Sequence, residues 1–355
     1  MSFHDRARML KALGLYLNEK KKSFYPVSAA TGATKSDSWI DIDGGIGTML
    51  VFASKGRREL PDQPFLVDGN MEMISKNGTF VGQHICVPLE GVAVHINAFN
   101  FPVWGMLEKI AVNLLAGVPA IVKPATSTSY LTEHVVREII QSGILPEGAL
   151  QLVCGGVGDL FNHLTCQDIV TFTGSASTGK MLKQHPSIVE HSIRFNMEAD
   201  SLNCCVLGPD AEPGTEEFGL FIKEVVREMT AKAGQKCTAI RRTIVPSHLT
   251  DAVVEALRER LKNTVIGDPA VEGVRMGPLA SHAQVKSVKE QVASLLTCSE
   301  LAYGQMDQLE VVGADSQRGA FMSTMLLYCN EPFKHSAPHE IEAFGPVTTV
   351  MPYRN

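Results

Sequence analysis

The opening segment carries Met9, Leu10, Leu13, Tyr16 and Leu17 at helical spacing, which predicts an amphipathic helix. From about residue 90 the pattern changes. GVAVHIN (91–97) reads as a buried strand, and VWGMLEKIAVNLLAG (103–117) as a helix closed by Gly117. PAIVK (119–123) is again strand-like. A helix is predicted from about Ser129 to Gly143, with Leu131, Val135, Val136, Ile139 and Ile140 on one face. ALQLVCG (149–155), a short polar helix, DIVTFTG (168–174), another helix and IRFNMEA (193–199) continue the alternation. Strands alternating with short helices predict an α/β fold with a parallel sheet covered on both faces. Such sheets bind ligands beyond the carboxyl ends of their strands.

The second half reads differently. A helix is predicted from about Pro213 to Ala233, with Phe218, Ile222, Val225 and Met229 along one face and Gly234 as its stop. The strand-like TAIRRTIVP (238–246) and a helix near 249–262 follow, and the remainder is less regular. The change of pattern puts a domain boundary near residue 200.

Composition narrows the classes. The 355 residues are 45% hydrophobic and 20% charged, which fits a globular chain and not a disordered one. No apolar run approaches the ~20 residues that span a bilayer, and the start lacks a signal-peptide core. A net charge of −6 argues against a broad basic face for nucleic acid. The eight cysteines form no C-x-x-C pair, so zinc-ribbon and thioredoxin readings lack support and no metal site is expected. They read as reduced, cytoplasmic thiols, most of them buried.

Two near-motifs invite other chemistry. GSASTGK (174–180) fits a phosphate loop up to Lys180, but Met181 stands where a hydroxyl should meet Mg²⁺. GGVGDLF (155–161) ends in Phe161 rather than glycine and reads as a loop turn.

Three segments carry stronger candidates. Cys237 lies in a short loop between helix and strand, flanked by Lys232, Lys236, Arg241 and Arg242, and positive charge favours a thiolate. The bland alternative is a buried structural cysteine. Glu198 sits at the end of a predicted parallel strand, a place for a general base, against the commoner solvated carboxylate. Asn97 and Asn100 follow another strand end, where an amide can donate to an oxyanion or merely shape a turn.

Together NAFNFPVWG (97–105), IVKPA (121–125), FTGSASTG (172–179), MEADSLN (197–203), AGQKCTAIRR (233–242), GDP (267–269), MGPL (276–279) and EAFGPV (342–347) resemble the aldehyde dehydrogenase superfamily over nearly the whole chain. The wording is most similar to the branch acting on CoA-linked semialdehydes of phenylacetate degradation. The semialdehyde dehydrogenases of benzoyl-CoA oxidation are nearly as similar. The resemblance implies a Rossmann-type cofactor domain over 1–200 and an α/β catalytic domain over 201–355. It also implies that the family sequence continues beyond both ends, so the N-terminal part of the first domain and the C-terminal part of the second are expected to be missing. Exposed apolar surface and unpaired strand edges would follow.

Residue by residue, the resemblance makes Cys237 the nucleophile, Glu198 the general base and Asn100 the oxyanion donor beside the Cys237 backbone N–H. Lys123 matches a cofactor-ribose residue, Ser175 a pyrophosphate residue, and Glu342 and Phe344 the pair that positions the nicotinamide ribose and ring. The implied reaction is NAD(P)-dependent oxidation of an aldehyde to an acid through a cysteine thioester. Two departures stand out. Ala199-Asp200-Ser201 replaces the family's Gly-Gly after the base, and Thr126 stands where many NAD-specific members carry Glu. Loss of that carboxylate makes room for the 2′-phosphate of NADP, with NAD as the second possibility. The implied partner is a small-molecule aldehyde, a CoA thioester. No nucleic acid or membrane is expected, and full-length relatives are homo-oligomers by the same resemblance. Two other readings are a catalytically silent fragment that at most binds cofactor, and a phosphate-loop phosphotransferase.

Overall fold

The computed structural model describes residues 1–306 and 309–354. The chain divides into two compact units, Met1–Val27 with Trp39–Ala199, and Ser28–Ser38 with Asp200–Asn355.

Helix α1 (Phe3–Lys20) starts at a capping box, Ser2 and Asp5 exchanging side-chain and backbone hydrogen bonds. Its Leu10, Leu13 and Leu17 are fully buried. Helices α2 (Phe24–Ala29) and α3 (Lys35–Glu59) follow, and then an antiparallel hairpin of β1 (Leu66–Met73) and β2 (Val81–Cys86). Met71, Met73, Ile74 and Phe80 of this hairpin region are exposed.

The rest of the first unit alternates β3 (Ala93–Ile96), α4 (Trp104–Ala116), β4 (Ala120–Lys123), α5 (Ser129–Gln141), β5 (Leu150–Leu152), β6 (Ile169–Gly174), α6 (Ala176–Lys183), α7 (Pro186–Glu190) and β7 (Arg194–Ala199). The sheet runs β5-β4-β3-β6-β7 with every pair parallel. One core layer joins α1, α4 and α5 to Ala120 and Val122, and another gathers Val94, Ile96, Val170 and Phe172 with Phe161 and Ile188. On α5, Leu131, Val135, Val136 and Ile139 are buried, each side chain contributing about 1.5–3 kcal/mol. Ile140 does not join them; at 64% exposure it lies past the edge of that face. Gly117 closes α4 in the left-handed region (φ 89°), and a Cβ there would meet the buried Arg6 side chain at 1.9 Å.

His95 ties this sheet to α4. One ring nitrogen meets Thr171 Oγ1 at 2.7 Å and the other Asn113 Oδ1 at 2.8 Å. Burial pulls its pKa down to about 4, so the ring is neutral near pH 7.

The second unit contains β8 (Asn203–Val206), α8 (Glu216–Thr230), β9 (Ile240–Pro246), α9 (Thr250–Leu261), α10 (His282–Leu295), β10 (Glu300–Tyr303), β11 (Met325–Tyr328), α11 (Ala337–Glu340) and β12 (Val347–Tyr353). Its sheet runs β10-β11-β12-β9-β8, parallel except for the antiparallel β10–β11 pair. Helix α8 is shorter than its pattern suggests. Thr215 accepts from the Phe218 N–H and so starts the helix after the glycine turn at Gly214. At the other end the chain leaves α8 at Thr230 and turns left-handed through Lys232, Ala233 and Gly234.

Candidate active site

In the first unit the strand order reverses between β3 and β6. At such a switch point the carboxyl ends open a crevice for ligands. Asn97 and Asn100 follow β3 and are both buried. The Asn97 backbone N–H donates to the Lys123 carbonyl at 3.0 Å, which fixes the end of β3 against the end of β4. Both side-chain amide atoms of Asn97 are buried and, among the described residues, without a hydrogen-bond partner. A buried amide in that state is suited to a ligand. Lys123 ends β4, and Thr126 is exposed at the head of the turn that follows. Ser175 caps α6, its hydroxyl accepting from the Thr178 N–H at 3.4 Å. The strand end, the cap and the first N–H groups of α6 together fit the ribose and diphosphate of a dinucleotide.

The same geometry removes the phosphate-loop reading. Ser177 to Lys180 already belong to α6, and only Ser175 separates that helix from β6. A phosphate loop needs those residues as loop to wrap its ligand. GGVGDLF lies in a loop, with Gly155 and Gly158 at positive φ.

Glu198 lies exposed on β7, in register with Thr173 of β6, whose hydroxyl reaches its Oε2 at 3.5 Å. Glu108 on α4 is a second carboxylate nearby. Burial raises its pKa, and the charge of Glu198 adds to the rise.

In the second unit the segment before Cys237 is strained. Lys232 (φ 55°) and Ala233 (φ 52°) are left-handed without being glycine, a state that costs about 1–3 kcal/mol per residue. Gly234 (φ 69°) completes the turn, and a Cβ there would lie 2.1 Å from the Gly345 carbonyl. Gln235 braces it twice, donating to the Lys232 carbonyl at 2.8 Å and accepting from the Ala280 N–H at 3.0 Å. Arg241 braces it from β9. Its buried guanidinium donates to the carbonyls of Gly345 (2.7 Å), Gly234 (2.7 Å) and Lys236 (3.3 Å).

Cys237 itself is exposed. Its carbonyl accepts from the Ser201 hydroxyl and from the Asn203 amide, the latter at 2.5 Å. The cations around it are largely committed elsewhere. Lys236 pairs with Glu228 at 2.7 Å, Arg242 donates to the Leu202 carbonyl, and Lys232 is buried. Arg241 remains electrostatically relevant. Burial lowers its pKa to about 10 against the opposing pull of Glu342, Glu228 and Cys237. Arg241 therefore carries a positive charge that a thiolate at Cys237 feels.

Glu342 and Phe344 meet the same arginine. The Arg241 Nε lies 3.6 Å from Glu342 Oε1, and its guanidinium carbon sits 5.3 Å from the centre of the Phe344 ring. Glu342 also accepts from the Ser201 N–H at 3.0 Å, and burial raises its pKa. Gln284 donates to the Phe344 carbonyl at 2.8 Å.

The structure thus gathers Asn100, Lys123, Thr126, Ser175 and Glu198 at the carboxyl edge of one sheet. It gathers Cys237, Glu342 and Phe344 around Arg241 and Ser201 in the other unit. Arg241, Ser201, Asn203, Gln235 and Gln284 act through side-chain bonds to backbone, which leave no periodic mark in sequence. The expected burial of most thiols does not hold. Cys86, Cys154, Cys166, Cys204 and Cys237 are exposed, Cys205 and Cys298 are half-buried, and Cys329 alone is buried. Cys154 and Cys166 lie in loops, and Cys86 and Cys204 in strands whose outer positions face solvent. Among the described residues no group of three or more His, Cys, Asp or Glu is placed to hold a metal, and no helix is long and apolar enough to cross a membrane.

A parallel sheet with a switch-point crevice and a second α/β unit are the architecture of a dehydrogenase. The whole chain, residues 1–355, matches the aldehyde dehydrogenase family. It is 45% identical over 354 residues to a 3,4-dehydroadipyl-CoA semialdehyde dehydrogenase of Aromatoleum evansii, covering 99% of this chain and 68% of that protein. The chain belongs to the aldehyde dehydrogenase family, and its chemistry is that of an NAD(P)-dependent oxidoreductase. Solved structures share the fold. Betaine aldehyde dehydrogenase of Staphylococcus aureus in complex with NAD+ superposes with a TM-score of 0.86 at 22% identity, over 100% of this chain and 67% of that one. Succinic semialdehyde dehydrogenase of Streptococcus pyogenes in complex with NADP+ gives 0.83 at 18% identity, over 99% and 72%.

Proposed function

We propose that the chain oxidises a semialdehyde carrying a CoA thioester to the corresponding acid, with NADP preferred over NAD. The substrate class rests on the 45% identity to a CoA-semialdehyde dehydrogenase and on the motif wording shared with that branch. Residues 1–200 act as the cofactor-binding part and residues 201–355 as the catalytic part.

Cys237 is the nucleophile, and its thiolate adds to the aldehyde carbon. Asn100 and the Cys237 N–H receive the oxyanion, where one such donor is typically worth about 10²–10³ in rate. A bound nicotinamide would supply the hydride acceptor that turns the Cys237 adduct into a thioester. Glu198 takes a proton from water, which then hydrolyses the Cys237 thioester and frees the acid. Lys123 and Ser175 would hold the ribose and diphosphate of the cofactor, and Glu342 and Phe344 would position the ribose and ring at the nicotinamide end. Thr126 leaves the adenosine 2′-position without an opposing carboxylate, which is the basis for NADP.

The observation that carries this reading is the placement of Cys237. It is exposed at the end of a strained turn, its carbonyl is doubly held, and Arg241 is its charged neighbour. The test is reduction of NADP and of NAD by the purified chain with a CoA-linked C6 semialdehyde. Turnover that disappears in Cys237→Ala while cofactor binding survives supports the proposal. Cofactor binding without turnover in the unaltered chain would leave a silent binding protein.

A further inference from the structure

Residues 28–38 belong to the second compact unit, although the chain on both sides of them belongs to the first. Their backbone is closely fitted there. Gly32 sits at φ 88° with its Cβ direction 2.7 Å from the Pro278 carbonyl, and a Cβ on Gly277 would meet the Gly32 carbonyl at 2.0 Å. This short segment delivers one carboxylate, Asp37, which is 3% exposed.

The two oxygens of Asp37 have different partners. Oδ2 accepts from the Thr34 N–H at 3.0 Å and from the Thr34 hydroxyl at 2.7 Å, closing a capping box at the start of α3. Oδ1 accepts from the backbone N–H of Lys232 at 2.8 Å, 195 positions away in sequence. Lys232 is the first of the left-handed residues that lead into Cys237. A left-handed turn of non-glycine residues persists only where its surroundings over-determine it. Gln235 and Arg241 brace the later part of the turn, and Asp37 is the side chain that holds its first N–H.

We propose that Asp37 is a positioning residue for the reaction. By fixing the Lys232 N–H it sets the left-handed turn and so the placement of the Cys237 thiol. The inference rests on Cys237 being the nucleophile, but its first test does not. Asparagine at 37 keeps the shape and cannot satisfy both Thr34 and Lys232, because one carboxylate oxygen becomes a donor.

The experiment compares the unaltered chain with Asp37→Asn, Asp37→Glu and Thr34→Ala. Amide exchange over residues 231–237 reads the clamp. Iodoacetamide alkylation of Cys237, normalised to Cys154 and Cys166 in the same sample and followed against pH, reads the thiol. Turnover supplies kcat and KM. In Asp37→Asn we expect faster exchange at Lys232. We also expect normalised alkylation and kcat lowered at least about tenfold, the loss typical of a hydrogen bond to an ionised group, with KM for cofactor little changed. Asp37→Glu, which keeps the charge, recovers part of the loss. Thr34→Ala loosens the cap and lowers stability but leaves normalised alkylation intact. Wild-type exchange at Lys232 in Asp37→Asn overturns the clamp. Faster exchange with unchanged alkylation and kcat overturns the positioning role and leaves the dehydrogenase reading standing. Turnover retained in Cys237→Ala overturns the nucleophile assignment and the positioning role with it. Should Asp37→Asn fail to fold, Asp37→Ser takes its place, and wild-type exchange at Lys232 or unchanged alkylation and kcat in that variant overturns the proposal.

Discussion

The side-chain amide of Asn203 donates to the carbonyl of Cys237 at 2.5 Å, joining the start of β8 to the residue proposed as nucleophile. The Ser201 hydroxyl reaches the same carbonyl. The two donors lie two residues apart, so one short stretch brackets the Cys237 carbonyl from both side chains.

Removing one arm of this bracket leaves the other in place. Asn203→Ala should lower stability by about 1 kcal/mol, the net worth of one ordinary hydrogen bond. The double variant with Ser201→Ala should lose more than the sum of the singles, because the carbonyl is then left without either side-chain donor. A double-mutant cycle of urea midpoints, with Cys237 alkylation rates alongside, checks this. Strict additivity would show that the two donors act independently.

His95 predicts a pH dependence of the first unit. Its pKa is about 4 in the fold and ordinarily about 6.5, so between these values the unfolded chain binds a proton that the folded chain refuses. The contribution is fully present above pH 6.5 and is lost as pH falls through about 4. The total is about 3 kcal/mol by the linkage relation. Urea unfolding from pH 7 to pH 4 should show the slope, and His95→Gln should flatten it. Equal slopes in both chains would place the titration elsewhere.

From β3 to β7 the first unit is legible because its signals are local. Val94 and Ile96, Leu131 to Ile139, and Gly117 show burial and chain reversal directly, and β3 to β7 fall where the apolar runs lie. The local pattern does not single out helices α2, α3, α10 and α11 or strands β1, β2, β8 and β10 to β12. Val288, Val292 and Leu295 are spaced like a helix face, but polar residues dilute the segment, and MLLY is too short to distinguish strand from helix. The pattern reads Lys232 and Ala233 as helix, a state Ala and Lys favour, and one long-range bond to Asp37 with nearer bonds from Gln235 and Arg241 overrides that preference. The candidate site residues can be named from motifs. The groups that hold them, Asp37 above all, cannot, since 195 positions separate the partners of one hydrogen bond.

Arg241 should be the most sensitive side chain of the second unit. It is buried, its guanidinium donates to three carbonyls, and Glu342 and Phe344 depend on its position. Arg241→Met removes three donated bonds, while backbone N–H groups still reach the Gly345 and Lys236 carbonyls, and it leaves Glu342 without its cation, a change expected to cost about 3–5 kcal/mol. Arg241→Lys restores the charge but not the fork that reaches separate acceptors, so it should recover only part of the loss. Unfolding midpoints measure both. A loss below 1 kcal/mol in Arg241→Met would mean that the turn before Cys237 is held without it.

The proposed preference for NADP makes Thr126 the position to test by a direct switch. It is exposed at the head of the turn after β4, close in sequence to Lys123 at the strand end. A neutral hydroxyl there tolerates a 2′-phosphate, whereas a carboxylate would repel it and accept hydrogen bonds from the 2′-hydroxyl of NAD. In Thr126→Glu the preference should move from NADP towards NAD by about tenfold or more, since one unfavourable charge contact at a partly solvated site is worth roughly 1–2 kcal/mol. Dissociation constants for both dinucleotides, measured by fluorescence titration at two salt concentrations, separate the charge effect from packing, because added salt should narrow the ratio. An unchanged NADP-to-NAD ratio would mean that Thr126 does not face the adenosine ribose, and the preference would have to be sought at another residue after β4.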